Sequence, residues 1–126
     1  MILITGATKT GKTEFARKIA QFLIATNLVE NEEYLRTEVI HTLSNIIGGT
    51  TKRVKEFLRK IEGGVGLMEH CEYMDHHGYK DELESTLSTS LGSEIQKPTW
   101  MIFTAYTKPK FFEQNKLFVP VAEIAL

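Results

Sequence analysis

A chain of 126 residues is long enough to bury one core and too short for a nucleotide-binding core joined to a large second domain. Hydrophobic residues make up 42% and charged residues 25%, an ordinary globular composition that excludes a disordered or fibrous chain. The formal net charge is -1 and the 15 basic residues are scattered, so neither nucleic acid nor a membrane surface is expected as a partner.

Residues 1 to 5 are a continuous apolar run that reads as a strand ending at Thr5-Gly6. The run is too short for a signal peptide, no stretch approaches the length of a membrane-spanning helix, and the single Cys71 has no internal disulfide partner. A cytoplasmic protein is expected. Thr13 to Thr26 then places Phe15, Ile19, Phe22 and Leu23 at helical spacing. Residues 27 to 33 are polar and turn-like. Tyr34 to Ile40 reads as a second strand, with a helix through Glu32 to Leu43 as its competitor.

Gly48-Gly49 breaks the chain before a helix over Thr50 to Ile61, in which Val54, Phe57, Leu58 and Ile61 recur at helical spacing. Gly63-Gly64 ends it, and Val65 to Met68 suits a buried strand. Residues 69 to 82 are polar without periodicity. Asp81 to Leu91 returns to helical spacing through Leu83, Leu87 and Leu91, and Pro98 introduces a strand over Thr99 to Tyr106. One short helix over 109 to 115 and a last strand over 118 to 126 complete the order. Strands alternating with helices predict a single α/β domain over residues 1 to 126: a three-layer sandwich on a mainly parallel, five-stranded sheet.

Between the first strand and the first helix stand Gly6, Ala7, Thr8, Lys9, Thr10, Gly11, Lys12 and Thr13, the spacing G-x-x-x-x-G-K-T known as Walker A. Glycines at both ends let such a loop wrap tightly, so that backbone N–H groups point inward at phosphate oxygens. Lys12 can reach the β and γ phosphates, and the Thr13 hydroxyl can ligate Mg²⁺. A glycine-rich turn can also serve only to join a strand to a helix. The strand before and the amphipathic helix after favour a P-loop, with ATP and Mg²⁺ as the expected cofactors.

The chain also resembles the AAA+ ATPases of the CbxX and stage V sporulation protein K branch, which includes the rubisco activases of red-type organisms. The resemblance rests on the P-loop followed by Ala16-Arg-Lys-Ile-Ala, then Ile47-Gly-Gly-Thr-Thr-Lys-Arg-Val-Lys-Glu, Gly63-Gly-Val and Ile102-Phe-Thr-Ala-Tyr-Thr in the family's order. It implies an AAA+-like P-loop NTPase core that binds ATP. Family members end the third strand with Asp-Glu, for Mg²⁺ and for the attacking water; here Glu69 and His70 take those places, with Glu72 as the acid in an alternative register. The arginine finger falls within Asn115-Lys-Leu-Phe, where only Lys116 is cationic, and all four arginines lie at or before Arg59. The pore aromatic falls near Ile46, and the residue sensing γ-phosphate is Thr104 or Tyr106.

The chain stops where the family's helical lid would begin, so a lid is not expected. The resemblance keeps the phosphate-binding parts and loses turnover parts. The expected function is ATP binding with weak or no hydrolysis in isolation, in a nucleotide-dependent module for a protein partner or oligomer. A small P-loop kinase acting on a metabolite is the alternative, although no lid arginine follows Asp81.

Glu69, His70, Cys71, Glu72, Asp75, His76 and His77 crowd together at the end of the third strand; a solvated loop is the leading reading and a transition-metal site the other. Trp100 and the leucines at 83, 87 and 91 are expected in the core. Phe111, Phe112, Phe118 and Val119 are expected near the surface, as a patch for a partner.

Overall fold

Successive side chains of a strand point to opposite faces of its sheet, and strand β1 (Ile2–Thr5) sends Ile2 and Ile4 to one face and Leu3 to the other. Four more strands repeat the division: β2 (Tyr34–Glu38), β3 (Val65–Glu69), β4 (Trp100–Ala105) and β5 (Ala122–Ala125). In the computed structural model, which describes residues 1–44, 48–75, 80–91, 96–114 and 119–126, these five strands form one sheet in the order β2-β3-β4-β1-β5. Every neighbouring pair is parallel, with Ile4 beside Thr104 and Met68 beside Phe103. Parallel neighbours need crossover helices, and those helices cover both faces.

Helix α1 (Lys12–Ala25) covers one face, where Ala16, Ala20 and Leu23 pack on Ile2, Ile4, Val65, Leu67 and Ile102. The opposite face carries α2 (Val39–Thr42), α3 (Gly49–Ile61), α4 (Lys80–Thr89) and α5 (Lys110–Gln114). There Val54, Leu58, Leu83 and Leu87 enclose Leu3, Met68, Met101 and Phe103. The result is the three-layer α/β sandwich that the alternation of elements predicts. Leu83 and Leu87 are fully buried, and Leu91 and Trp100 are partly buried against the two cores, as expected. Among the described residues no helix is long and apolar enough to cross a membrane.

Several boundaries differ from the sequence reading for local reasons. The second strand stops at Glu38, and the competing helix takes only Val39–Thr42, where Val39 is fully buried and the Thr42 hydroxyl donates to the Val39 carbonyl at 2.7 Å. The polar stretch after Glu69 contains a 3-10 helix (Cys71–Asp75), because Cys71 and Met74 at i and i+3 both turn into the core. Helix α1 faces the sheet with its small alanines, which leaves Phe22 62% exposed despite its place in the apolar pattern.

The aromatic pair Phe111 and Phe112 is a correction. Both are buried, not displayed: Phe112 meets Phe103 and Phe111 edge to face, with ring centroids 5.2 and 5.1 Å apart. Both rings belong to the core cluster of Leu3, Met74 and Phe103 on this face of the sheet. Val119 is exposed as expected, at the start of the segment leading into β5, while Phe118 lies outside the described residues.

Candidate nucleotide-binding site

The chain leaves β1 at Thr5 and turns at once, with the Gly6 N–H donating to the Ala105 carbonyl of β4 at 3.1 Å. A Cβ at Gly6 would stand 2.8 Å from the Leu126 carbonyl oxygen and 2.9 Å from the Thr10 hydroxyl, so only glycine fits this turn. Thr10 pins the loop by donating to the Ala7 carbonyl at 2.8 Å, and Lys9 takes a left-handed φ of 67°. Gly11, also left-handed at φ 87°, is the residue from which α1 starts, and no side chain caps that start. An uncapped helix N-terminus behind a tight loop presents N–H groups and the positive end of the helix dipole to an anion. The Lys12 ammonium folds across the loop and donates to the carbonyls of Gly6 and Ala7 at 2.7 and 2.8 Å.

Thr13, in the first turn of α1, faces the end of β3. Its hydroxyl donates to Oε1 of Glu69, whose other oxygen accepts from Nη2 of Arg36 on β2 at 2.9 Å. The Glu69 side chain is 6% exposed, so its charge is held by these two partners instead of by water. Loop, α1 and the ends of β3 and β4 enclose a cleft of about 370 Å³, with Thr8, Lys12, Thr13, Glu69 and Thr104 in its wall. Two hard oxygen donors in contact beside an uncapped helix start suit Mg²⁺, which takes few protein oxygens and keeps its remaining ligands as water or phosphate. Thr13 and Glu69 therefore fit the ion that Walker A loops use, and no other metal is required by the donor set.

Past Glu69 the backbone takes a left-handed turn at His70, φ 57°, which carries its ring to the surface on the rim of the same cleft. There Nδ1 lies 3.6 Å from Oε2 of Glu72 and Nε2 lies 3.9 Å from Oε1 of Glu38. Glu72 also accepts from the Tyr106 N–H at 2.8 Å, so the 3-10 helix is tied to the end of β4. Both proposed sensing residues reach the cleft: Thr104 is buried between β1 and β3, and Tyr106 is half-exposed at the mouth.

Among the described residues the crowd of acids and histidines does not converge. Cys71 is fully buried and its Sγ donates to the Met68 carbonyl at 3.2 Å, pointing into the core while His70 points outward. Burial pushes the Cys71 thiol well above its ordinary range, and the nearby Glu72 charge adds to the effect. Among the described residues no three His, Cys, Asp or Glu side chains are placed to hold a metal together. His76 and His77 lie outside the described residues, as do Ile46 at the pore position and Asn115 to Phe118 with Lys116 at the finger position.

Sequence reasoning missed Arg36 and Glu38. Their signal was weak: charged residues at alternate positions are ordinary on a half-buried edge strand, and only the parallel pairing sets Arg36 beside Leu67 and Glu38 beside Glu69. Finding their partners needed the register between two strands separated by two helices.

No family profile and no curated protein matches the chain. Among solved structures, the chain is similar to RuvB of Thermotoga maritima, with a TM-score of 0.62 and 16% identity. The match covers 99% of this chain and 37% of that one, so the chain spans well under half of RuvB. At this identity the likeness shows the fold alone, a three-layer α/β sandwich on a parallel sheet in the order β2-β3-β4-β1-β5, as P-loop NTPases have.

Proposed function

We propose that this chain binds ATP with Mg²⁺, hydrolyses it slowly or not at all in isolation, and acts as a nucleotide-dependent module for a protein partner or for further copies of itself. The CbxX and stage V sporulation protein K branch is the family reading we favour within the AAA+ fold. One observation carries the proposal: the loop of residues 6 to 13 and the Glu69 carboxylate arrive at one cleft, joined through the Thr13 hydroxyl.

In this reading the N–H groups at the start of α1 hold the β-phosphate, and Lys12 turns from the Gly6 and Ala7 carbonyls to the phosphate oxygens. Thr13 and Glu69 orient Mg²⁺, which when bound offsets the charge of the phosphates. His70 occupies the place of the water-activating carboxylate. Its ring stands between Glu38 and Glu72 at the cleft rim, a weaker and differently aimed base than a glutamate at that position. The finger position offers Lys116, whose point charge does not reproduce a guanidinium fork. Both features support slow turnover.

Equilibrium binding of ATP, ADP and GTP with and without Mg²⁺, followed by phosphate release on the same sample, tests the proposal. Tight ATP and ADP binding with turnover far below about 1 per second is the expected result. Turnover above that rate, abolished by Lys12→Ala, contradicts the slow-hydrolysis part. Turnover that requires a metabolite acceptor contradicts the module reading and favours a kinase.

A further inference from the structure

We infer that Arg36 is a positioning residue for the Mg²⁺ site: it holds the Glu69 carboxylate so that Oε1 stays on Thr13 and faces the ion. The inference rests on the nucleotide-binding proposal and adds to it a residue that neither the P-loop nor the third-strand motif contains.

Glu69 stands where the family resemblance expects the shorter aspartate, so its carboxylate has one more torsion to restrain. The two oxygens have different partners. Thr13 takes Oε1 and the Arg36 Nη2 takes Oε2 at 2.9 Å, which fixes the plane of the carboxylate from both sides. The side chains differ sharply in exposure, 59% for Arg36 and 6% for Glu69, so a surface guanidinium reaches inward to a buried acid. Parallel register places Arg36 beside Leu67, two residues before Glu69, on the face covered by α1. An arginine stem is long enough to lean that distance along the strand.

Arg36 could instead compete with the cation for Glu69. The geometry favours positioning, because the oxygen that Arg36 holds is not the oxygen on Thr13. Hydrogen-bond partners that orient a metal-ligating group typically change metal affinity by about 10- to 100-fold when removed.

The test measures the affinity of a fluorescent ATP analogue with and without Mg²⁺ and takes the ratio, the Mg²⁺ enhancement. Arg36→Gln is expected to lower that enhancement by about 10- to 100-fold while changing Mg²⁺-free affinity less than about two-fold. Arg36→Lys, which keeps a cation for Oε2, should recover most of the enhancement. In a Glu69→Ala background, Arg36→Gln should have no further effect, since Arg36 acts only through Glu69. Arg36 is mostly exposed, so these variants are expected to fold, and far-ultraviolet circular dichroism checks that they do.

An unchanged enhancement in Arg36→Gln overturns the inference, as does a larger one, which would identify competition. An equal loss with and without Mg²⁺ also overturns it, by indicating a direct phosphate contact. Wild-type protein that binds no nucleotide removes the parent proposal and this inference together; wild-type binding with an indifferent Arg36→Gln removes this inference alone.

Discussion

The Thr13 hydroxyl donates to the Glu69 carboxylate across 56 residues of sequence, and this bond ties the first turn of α1 to the last residue of β3. Both ends are placed by ordinary forces. Ala16, Ala20 and Leu23 seat α1 on the sheet, and Val65 and Leu67 bury β3 beneath it. A helix start and a strand end are thus fixed against each other by apolar packing, and the polar pair sits where the packing stops.

Phe112→Ala should destabilise the fold by about 3–5 kcal/mol, because it removes a ring that closes the core against Phe103 and Phe111 and leaves a cavity. Phe22→Ser, on the open face of α1, should change stability by no more than about 0.5 kcal/mol. Urea unfolding of both variants checks the contrast. A large loss at Phe22 with a small one at Phe112 would mean that α1 packs through its aromatic residues.

Cys71 should make stability fall as the solution becomes alkaline. Its thiol is raised from an ordinary value of 9.0 by burial, so above that pH the unfolded chain loses the proton while the folded chain keeps it. The unfolded state then binds fewer protons, and stability declines from about pH 9 upward toward the folded-state value. Unfolding midpoints between pH 7 and pH 10 should slope downward in the wild type and less steeply in Cys71→Ala. Identical slopes would show that the thiol is not shielded. The same burial predicts slow reaction of native Cys71 with thiol reagents at pH 8.

Replacing His70 by glutamate should raise phosphate release without producing a fully active ATPase. A carboxylate base at that position is worth roughly 10²- to 10⁴-fold where it is well aimed. Here the residue sits at φ 57°, a strained conformation for a non-glycine side chain, and the transition-state charge still has no arginine from the finger position. Steady-state phosphate release on His70→Glu, with and without Glu69→Asp, reads the effect. No gain in either variant would mean that position 70 does not face the attacking water.

The tight turn from β1 into α1 was legible because all its parts are local: eight consecutive residues with a strand before and a helix after. The layer architecture was legible for a related reason, since period-two and helical patterns report which faces are buried. Phe111 and Phe112 were misplaced because two adjacent aromatic residues in a short helix carry no period, and only the neighbouring Phe103 ring shows which way they turn. Phe22 fitted the apolar stripe of α1, yet the close approach of helix to sheet selects the alanines. Arg36 was invisible as a partner of Glu69 because the two stand 33 positions apart, with two helices between them and a strand register to be known.

Nucleotide-induced stabilisation tests the central claim most directly. Chemical unfolding of wild-type protein at a ligand concentration of a hundred times the dissociation constant should show a gain of about 2.7 kcal/mol for Mg-ATP, and a comparable gain for ADP. Lys12→Ala should lose most of that gain, since its ammonium is the loop's principal side-chain charge toward the phosphates. Wild-type protein that unfolds at the same denaturant concentration with and without saturating nucleotide would contradict the account, and residues 6 to 13 would then be a turn that only joins a strand to a helix.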